Sequence, residues 1–309
     1  MSIRRRDFLK LGAGGVAAAA GAIPASGRGV AREAQSGKGM LYDATRCIGC
    51  RACQTSCRKR LGFPPSLDEE GLYDQPTELS PRCASIIRLY QSEDGQERSF
   101  IRHQCMHCLD PACASACLVK ALRKTPEGPV VYDVDKCIGC RYCMIACPFD
   151  VPKFEYEKAI PAIRKCPFCF EYISRGQPPR CVAACPTEAL IFGDRQELLR
   201  EAWGRIYAQP DGYVHHVYGE HEVGGTAALY IAGVPFDKLG FPTDLPDTPI
   251  PERTRPFLNA VPLVILMWAA FCTGLHWFTQ RRQELAAAQA PAGDQRRAGG
   301  PGEREETRP

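Results

Sequence analysis

The longest apolar stretch of the chain, residues 257–278, reads FLNAVPLVILMWAAFCTGLHWF and contains no Asp, Glu, Lys or Arg. At about 1.5 Å per residue a helix of that length spans roughly 33 Å, enough for the hydrocarbon core of a bilayer. It has no polar stripe, so one transmembrane helix is expected rather than a buried core helix. Trp277 would lie in an interfacial belt and Pro262 in the first turns, where proline is tolerated. The other patterns are shorter. Gly39-Met-Leu-Tyr-Asp43 predicts a strand. Residues 86–90 and 99–102 flank Asp94-Gly95 and predict a hairpin. Residues 118–122 predict a short helix, followed by a glycine turn and a strand within 127–135. Residues 149–156 predict an extended crossover, and 186–193 end in a strand. Leu198, Leu199, Ala202 and Ile206 recur at helical spacing within 195–207. Residues 208–250 are rich in Gly, Pro and Asp with little periodicity, and predict an irregular arm leading to the membrane.

Cysteine changes this picture most. Of eighteen cysteines in 309 residues, sixteen fall into four sets of four. Cys47, Cys50, Cys53 and Cys57 are spaced C-x2-C-x2-C-x3-C, and Cys137, Cys140, Cys143 and Cys147 repeat that spacing before Pro148. Cys105, Cys108, Cys113 and Cys117 are spaced C-x2-C-x4-C-x3-C, and Cys166, Cys169, Cys181 and Cys185 are spaced C-x2-C-x11-C-x3-C. The run at 137–148 is the one by which bacterial ferredoxins hold [4Fe–4S] clusters: three close cysteines take one cubane and the fourth ligates a neighbouring cluster. Sixteen thiolates meet the needs of four such clusters. A disulfide scaffold competes poorly, because cysteines two residues apart do not readily pair and such domains are much shorter. Structural zinc competes poorly because it wants two pairs rather than a triplet and a single. The nineteen-residue spacer 118–136 suits a small two-cluster ferredoxin, which pairs the second and third sets and leaves the first and fourth to pair around them. The segment Cys-Ile-Gly-Cys-Arg-x-Cys at 47 and again at 137 is a repeat of cluster sites, not a solenoid.

The remaining composition is ordinary, with 45% hydrophobic and 24% charged residues. A net charge of +4 is too weak to argue for nucleic acid. Arg46, Arg51, Arg58, Lys59, Lys136, Arg141 and Lys165 stand beside the cysteine sets and could offset the negative charge of thiolate-bound clusters. No dinucleotide fingerprint, P-loop or nucleophile–base pair is present. Cys83 and Cys272 lack partners at ligand spacing and are expected to be free thiols. His107 is an optional ligand beside cysteines that already suffice, His276 a conceivable haem ligand but rather a helix contact, and His215, His216 and His221 packing residues. At the N-terminus, Arg4-Arg5-Arg6-Asp7-Phe8-Leu9-Lys10 and an Ala/Gly-rich run to Ala20 read as a twin-arginine export signal, a route that carries proteins already folded. Basic residues flank both ends of the apolar stretch, so export sets the orientation. The expected location is the cell inner membrane, single-pass, with the bulk of the chain in the periplasm and the C-terminus cytoplasmic.

With these residues in hand, about 38–280 of the chain resembles the four-cluster ferredoxin-like electron-transfer (beta) subunits of respiratory molybdenum and nickel–iron enzymes. Gly39-Met-Leu-Tyr-Asp-Ala-Thr-Arg-Cys47, Gln104-Cys-Met-His-Cys-Leu-Asp-Pro111 and Tyr218-Gly-Glu-His-Glu-Val-Gly-Gly-Thr226 carry the resemblance. They look most like iron–sulfur subunits of the periplasm-facing hydrogenase-2 type, and next like the formate dehydrogenase beta subunit. The resemblance implies an α+β fold: two interlocked bacterial-ferredoxin-like modules, each with two [4Fe–4S] clusters, with insertions and one C-terminal transmembrane helix. It implies crossed ligand sets: Cys47, Cys50, Cys53 with Cys185; Cys57 with Cys166, Cys169, Cys181; Cys105, Cys108, Cys113 with Cys147; and Cys117 with Cys137, Cys140, Cys143. Some relatives carry Trp where Cys108 stands, and a [3Fe–4S] cluster; Cys108 favours four [4Fe–4S] clusters here. Arg58 and Leu118 stand where proline is usual, which bears on local turn geometry rather than ligation. The expected organisation is 1–35 signal and linker, 36–200 four-cluster domain, 201–255 irregular extension, 256–280 transmembrane helix and 281–309 disordered tail.

The expected function is a non-catalytic electron relay between the small and large subunits of a periplasmic [NiFe] hydrogenase and a polytopic quinone-reactive membrane subunit. A molybdenum catalytic subunit, as in formate dehydrogenase, is the alternative partner. A stand-alone iron–sulfur enzyme or an assembly protein is the alternative of another class; the former would leave one iron without a protein ligand, and sixteen cysteines leave none.

Overall fold

The computed structural model of the protein describes residues 37–63 and 78–289. The export signal read at the N-terminus and most of the tail read at 281–309 lie outside the described residues. The chain divides into two compact units, Met1–Glu252 and Arg253–Pro309.

The first unit is built on a three-stranded sheet in the order β8-β1-β9. Strand β1 (Lys38–Asp43) runs antiparallel to β8 (Leu190–Asp194) and parallel to β9 (Ala228–Ile231), with Leu41 opposite Ile191 on one side and Leu229 on the other. Every residue of β1 after Lys38 is buried, as a strand covered on both faces must be. On one face lies α6 (Arg195–Ala208), whose Leu198, Leu199, Ala202 and Ile206 pack on Leu41, Leu229 and Ile231. The Asp194 side chain caps that helix, accepting from the backbone N–H of Gln196 at 3.0 Å. On the other face Met40, Tyr42 and Tyr230 join Ile87, Ile101 and Phe168 in a core that contains Cys53 and Cys181. The sheet therefore separates a helical layer from a cysteine layer.

Four short helices carry the cysteine sets: α1 (Ala52–Arg60), α2 (Ala112–Ser115), α3 (Tyr142–Ile145) and α5 (Arg180–Ala183), with α4 (Phe170–Ile173) just before α5. Helix α1 packs on α5, and α2 on α3. Three hairpins lie between them: β2 (Ser85–Gln91) with β3 (Arg98–Gln104), β4 (Leu122–Lys124) with β5 (Val130–Tyr132), and β6 (Lys153–Phe154) with β7 (Ile163–Arg164). The predicted strands, the hairpin around Asp94-Gly95 and the helix over 195–207 are all present.

Two expectations are corrected and one is refined. Residues 118–122 are not helical. Lys120 adopts a left-handed conformation (φ 53°) and the Ala121 N–H is held by Cys117 Sγ at 3.2 Å, so the chain turns and enters β4. The crossover at 149–156 is extended as expected, and its residues 153–154 pair with 163–164 as a short hairpin. The segment 201–255 is not an extension apart from the body. It begins inside α6 and supplies β9, all four of whose residues are buried, together with Tyr218, Phe236 and Phe241 of the core. Arg195, itself buried, ties it down by donating to the carbonyls of Thr226 (2.7 Å), Gly219 (3.2 Å) and Glu220 (3.1 Å).

The described residues of the second unit all belong to the helix α7, assigned over Ile250–Gln289, forty residues that include Pro256 and Pro262. Pro262 is thus well inside the helix rather than in its first turns, a position that membrane helices accept. It holds the one stretch among the described residues that is long and apolar enough to cross a membrane, and it fits a single-pass anchor. Thr273 and Thr279 return their hydroxyls to the carbonyls of Ala269 (2.8 Å) and His276 (2.8 Å), which satisfies them without water.

Candidate functional site

The cysteine loops share one backbone device. In each set the second residue between the first two cysteines is left-handed: Gly49 (φ 71°), His107 (51°), Gly139 (71°) and Phe168 (58°). The third residue after the last cysteine is left-handed in three sets: Lys120 (53°), Asp150 (47°) and Glu188 (52°). In the first set α1 simply continues to Arg60. Left-handed residues among right-handed ones turn successive N–H groups into one concavity, an arrangement that suits anions and iron–sulfur groups. The Phe168 N–H donates to Cys166 Sγ at 3.4 Å. Cys185 lies below the usual thiol range: burial alone would raise it, but the N–H groups of Leu190, Thr187 and Ala189 outweigh burial.

The sulfurs regroup across the chain rather than by set. Burial pushes Cys47 up, with Cys50 and Cys185 adding to it. Burial pushes Cys53 up to about 11, opposed by Arg102 and aided by Cys181, Cys47 and Cys185. Cys57 is raised by burial and, among the thiols, by Cys181; Cys166 is raised well above its usual range by burial, then by Cys57, Cys105 and Cys181. Cys169 reaches about 11 by burial, with Cys181 and Cys57 beside it. Burial raises Cys108 strongly, and Cys147, Cys105 and Cys113 add to it. Cys113 reaches about 12 through burial, Cys105, Cys147 and Cys143. Cys143 reaches about 11 through burial, Cys137, Cys140 and Cys117. Those last four cysteines also line a single cavity with Tyr132 and Ile163. Three electrostatic influences run between groups: Cys181 on Cys53, Cys105 on Cys166, and Cys143 on Cys113. Of the sixteen, Cys50 and Cys140 are exposed and the rest are buried or half-buried.

These surroundings fit a polynuclear iron–sulfur group. All eighteen cysteines are free thiols, against the disulfide reading. Among the described residues no three His, Cys, Asp or Glu side chains stand close enough for one metal ion, whereas a cubane spreads its thiolates over four irons. Buried cations face the sulfurs. Arg102 is almost wholly buried, and its terminal nitrogens have no hydrogen-bond partner among the described residues. Lys124 is pushed down to about 8 by burial, with Cys108 and Cys105 supporting its charge, and donates to the carbonyls of His107 (3.1 Å) and Cys108 (2.9 Å). Lys165 is buried and donates to the carbonyl of Cys166 at 3.1 Å. Sequence reasoning found Lys165 beside Cys166 but missed Arg102 and Lys124, which lie on strands β3 and β4 on either side of the second cysteine set.

The remaining candidates have other roles. His107 Nδ1 accepts from the Val130 N–H at 3.0 Å, and its ring packs on Phe168. His215 packs its ring at an angle against Trp203 and edge-on against Tyr207, and His216 pairs with Glu222 at 2.6 Å. Cys83 is buried 3.2 Å from an Arg58 nitrogen, and Cys272 lies in α7.

Residues 96–195 match a family model described as a 4Fe-4S dicluster domain, which covers the second, third and fourth cysteine sets. The chain is 41% identical to a protein of Nitratidesulfovibrio vulgaris over 293 residues, covering 93% of this chain and 79% of the relative. It is 39% identical over 277 residues to the hydrogenase-2 operon protein HybA of Shigella flexneri, covering 78% of this chain and 84% of the relative. It is 33% identical over 248 residues to the formate dehydrogenase-O iron-sulfur subunit of the same organism, covering 78% and 82%.

Proposed function

Because the chain belongs to the family of iron–sulfur electron-transfer subunits of hydrogenase-2 and formate dehydrogenase, we propose that it relays electrons through four [4Fe–4S] clusters between a periplasmic [NiFe] hydrogenase and a quinone-reactive membrane subunit. The grouping of the sulfurs carries this reading. Cys47, Cys50, Cys53 and Cys185 would hold the first cluster, and Cys57, Cys166, Cys169 and Cys181 the second. Cys105, Cys108, Cys113 and Cys147 would hold the third, and Cys117, Cys137, Cys140 and Cys143 the fourth. Each cluster, when bound, takes up and passes on one electron.

The electrostatic influences between groups support a single row in that order, since each links one group only to the next. Exposed Cys50 and Cys140 belong to the two end groups, so the row would begin and finish at the surface, where partners can reach it. Packing of α1 on α5 and of α2 on α3 supports two modules, the first and fourth sets in one and the second and third in the other. The chain's own part is to supply thiolates, close N–H groups around them and bury the interior clusters, which sets each potential. In this reading α7 anchors the chain, with the body periplasmic and the C-terminus cytoplasmic. Similarity to formate dehydrogenase subunits favours a molybdenum catalytic partner as the second reading.

The test is the activity of the complex recovered with a tagged chain from membranes solubilised without oxygen. Hydrogen-dependent dye reduction with nickel present is the expected result. Formate-dependent reduction would keep the relay and exchange the catalytic partner. Recovery of the chain without iron would overturn the relay itself.

A further inference from the structure

We propose that Arg102 is a shared counter-cation for two neighbouring thiol groups, Cys47/Cys50/Cys53/Cys185 and Cys57/Cys166/Cys169/Cys181, and that its fixed charge raises the reduction potentials of the two clusters they would hold. This rests on the ligand reading above.

The Arg102 side chain, on β3, is 1% exposed. Its Nε donates to Gln104 Oε1 at 2.9 Å, and Gln104 is itself held by a contact from Nε2 to Met40 Sδ at 3.5 Å. The guanidinium is thus fixed in direction, while Nη1 and Nη2 find no acceptor among the described residues. No Asp or Glu forms an ion pair with it among those residues. Burial works against its charge, and the groups that outweigh burial are four sulfurs: Cys181, Cys53, Cys57 and Cys166. Cys53 belongs to one group and the other three to the next. Arg195 shows the contrast: equally buried in the sheet layer, it spends its nitrogens on three backbone carbonyls.

A buried cation without a partner is costly, so its counter-charge has to be nearby. Here only sulfur supplies it. Guanidinium does not lose its proton in a protein, so the charge is constant at any working pH. Reduction adds an electron to a cluster that is already negative with its thiolates. A fixed neighbouring cation stabilises the reduced form more than the oxidised form, and the low polarity of the interior strengthens the effect. Removing the charge must therefore lower the potential.

The experiment is a redox titration of the purified complex followed by electron paramagnetic resonance, with iron content measured alongside, for wild type, Arg102→Met and Arg102→Lys. Arg102→Met is expected to move two of the cluster signals to lower potential and leave the others in place. A tenfold change in the reduced-to-oxidised ratio at fixed potential corresponds to about 59 mV for a one-electron couple. Arg102→Lys is expected to restore most of the shift. Unmoved signals in an iron-replete Arg102→Met protein, or an equal shift of all signals, would overturn the proposal. If Arg102→Met loses iron, Arg102→Lys decides: retained clusters near wild-type potential support a role of charge, and iron loss there too overturns it. A wild-type complex without cubane signals would instead sink the ligand reading, and this inference with it.

Discussion

Gly49 and Gly139 hold equivalent places in the two Cys-Ile-Gly-Cys repeats, and both are left-handed at φ 71°. Their surroundings differ. A Cβ on Gly49 would stand 2.5 Å from the Phe100 ring, whereas one on Gly139 would meet only Phe154 at 3.7 Å. Left-handed backbone costs an L-residue roughly 1–2 kcal/mol by itself. Gly139→Ala should therefore lower stability by about that amount, and Gly49→Ala by more, because Phe100 must also move. Thermal loss of iron–sulfur absorbance in the two variants checks the order, and equal losses would refute the steric reading. The other two sets place His107 and Phe168 in the same conformation. No glycine announces those turns in the sequence, because the fold rather than the local residue imposes them. Arg102 was illegible for a related reason: a cation on a strand reads as solvated until the strand is seen to be covered on both faces.

At the scale of elements, β9 is the most instructive. Its four residues, Ala228 to Ile231, are at most 1% exposed and extend the central sheet beside β1. A strand buried on both faces shows no alternation, and four residues are too few to stand out from Gly- and Pro-rich neighbours. Leu229→Ala removes a side chain packed between the sheet and α6, and should cost about 2–5 kcal/mol as a core cavity. A linker to the membrane would register almost nothing, so denaturation of the variant separates the two descriptions. The β4–β5 hairpin was misread for another reason. Residues 118–122 carry apolar spacing that a helix would also show, but the Cys117 sulfur takes the Ala121 N–H and ends any helix there. By contrast α6 was legible because its one-sided apolar face is a local signal.

At the scale of the molecule, residues Met1–Glu252 form a compact unit of their own, separate from Arg253–Pro309. A chain ending at Glu252 should fold with its clusters and leave the membrane fraction when expressed without partner subunits. Ultracentrifugation and iron analysis of the supernatant check both expectations. A truncated chain that stayed with the membrane would show that α7 is not the principal anchor. Burial of its sheet on both faces places the stability of the body in the layers on either side of β1, not in the membrane helix.

By itself the sequence determined that sixteen cysteines stand in four cluster-type sets, that one apolar stretch can cross a membrane, and where β1, the β2–β3 hairpin, β5, β8 and α6 lie. Those features are written in the spacing of nearby residues, which is all a local pattern can encode. Which sulfurs share a neighbourhood was not legible from spacing: Cys185 lies beside Cys47, and Cys147 beside Cys108, across more than a hundred and some forty residues respectively. The resemblance to known subunits suggested those groupings. Only the tertiary structure brought the distant segments together, laid β9 into the core and buried an arginine under the electrostatic influence of four cysteines. Each of these depends on long-range packing, where the free energy of burial outweighs local preference.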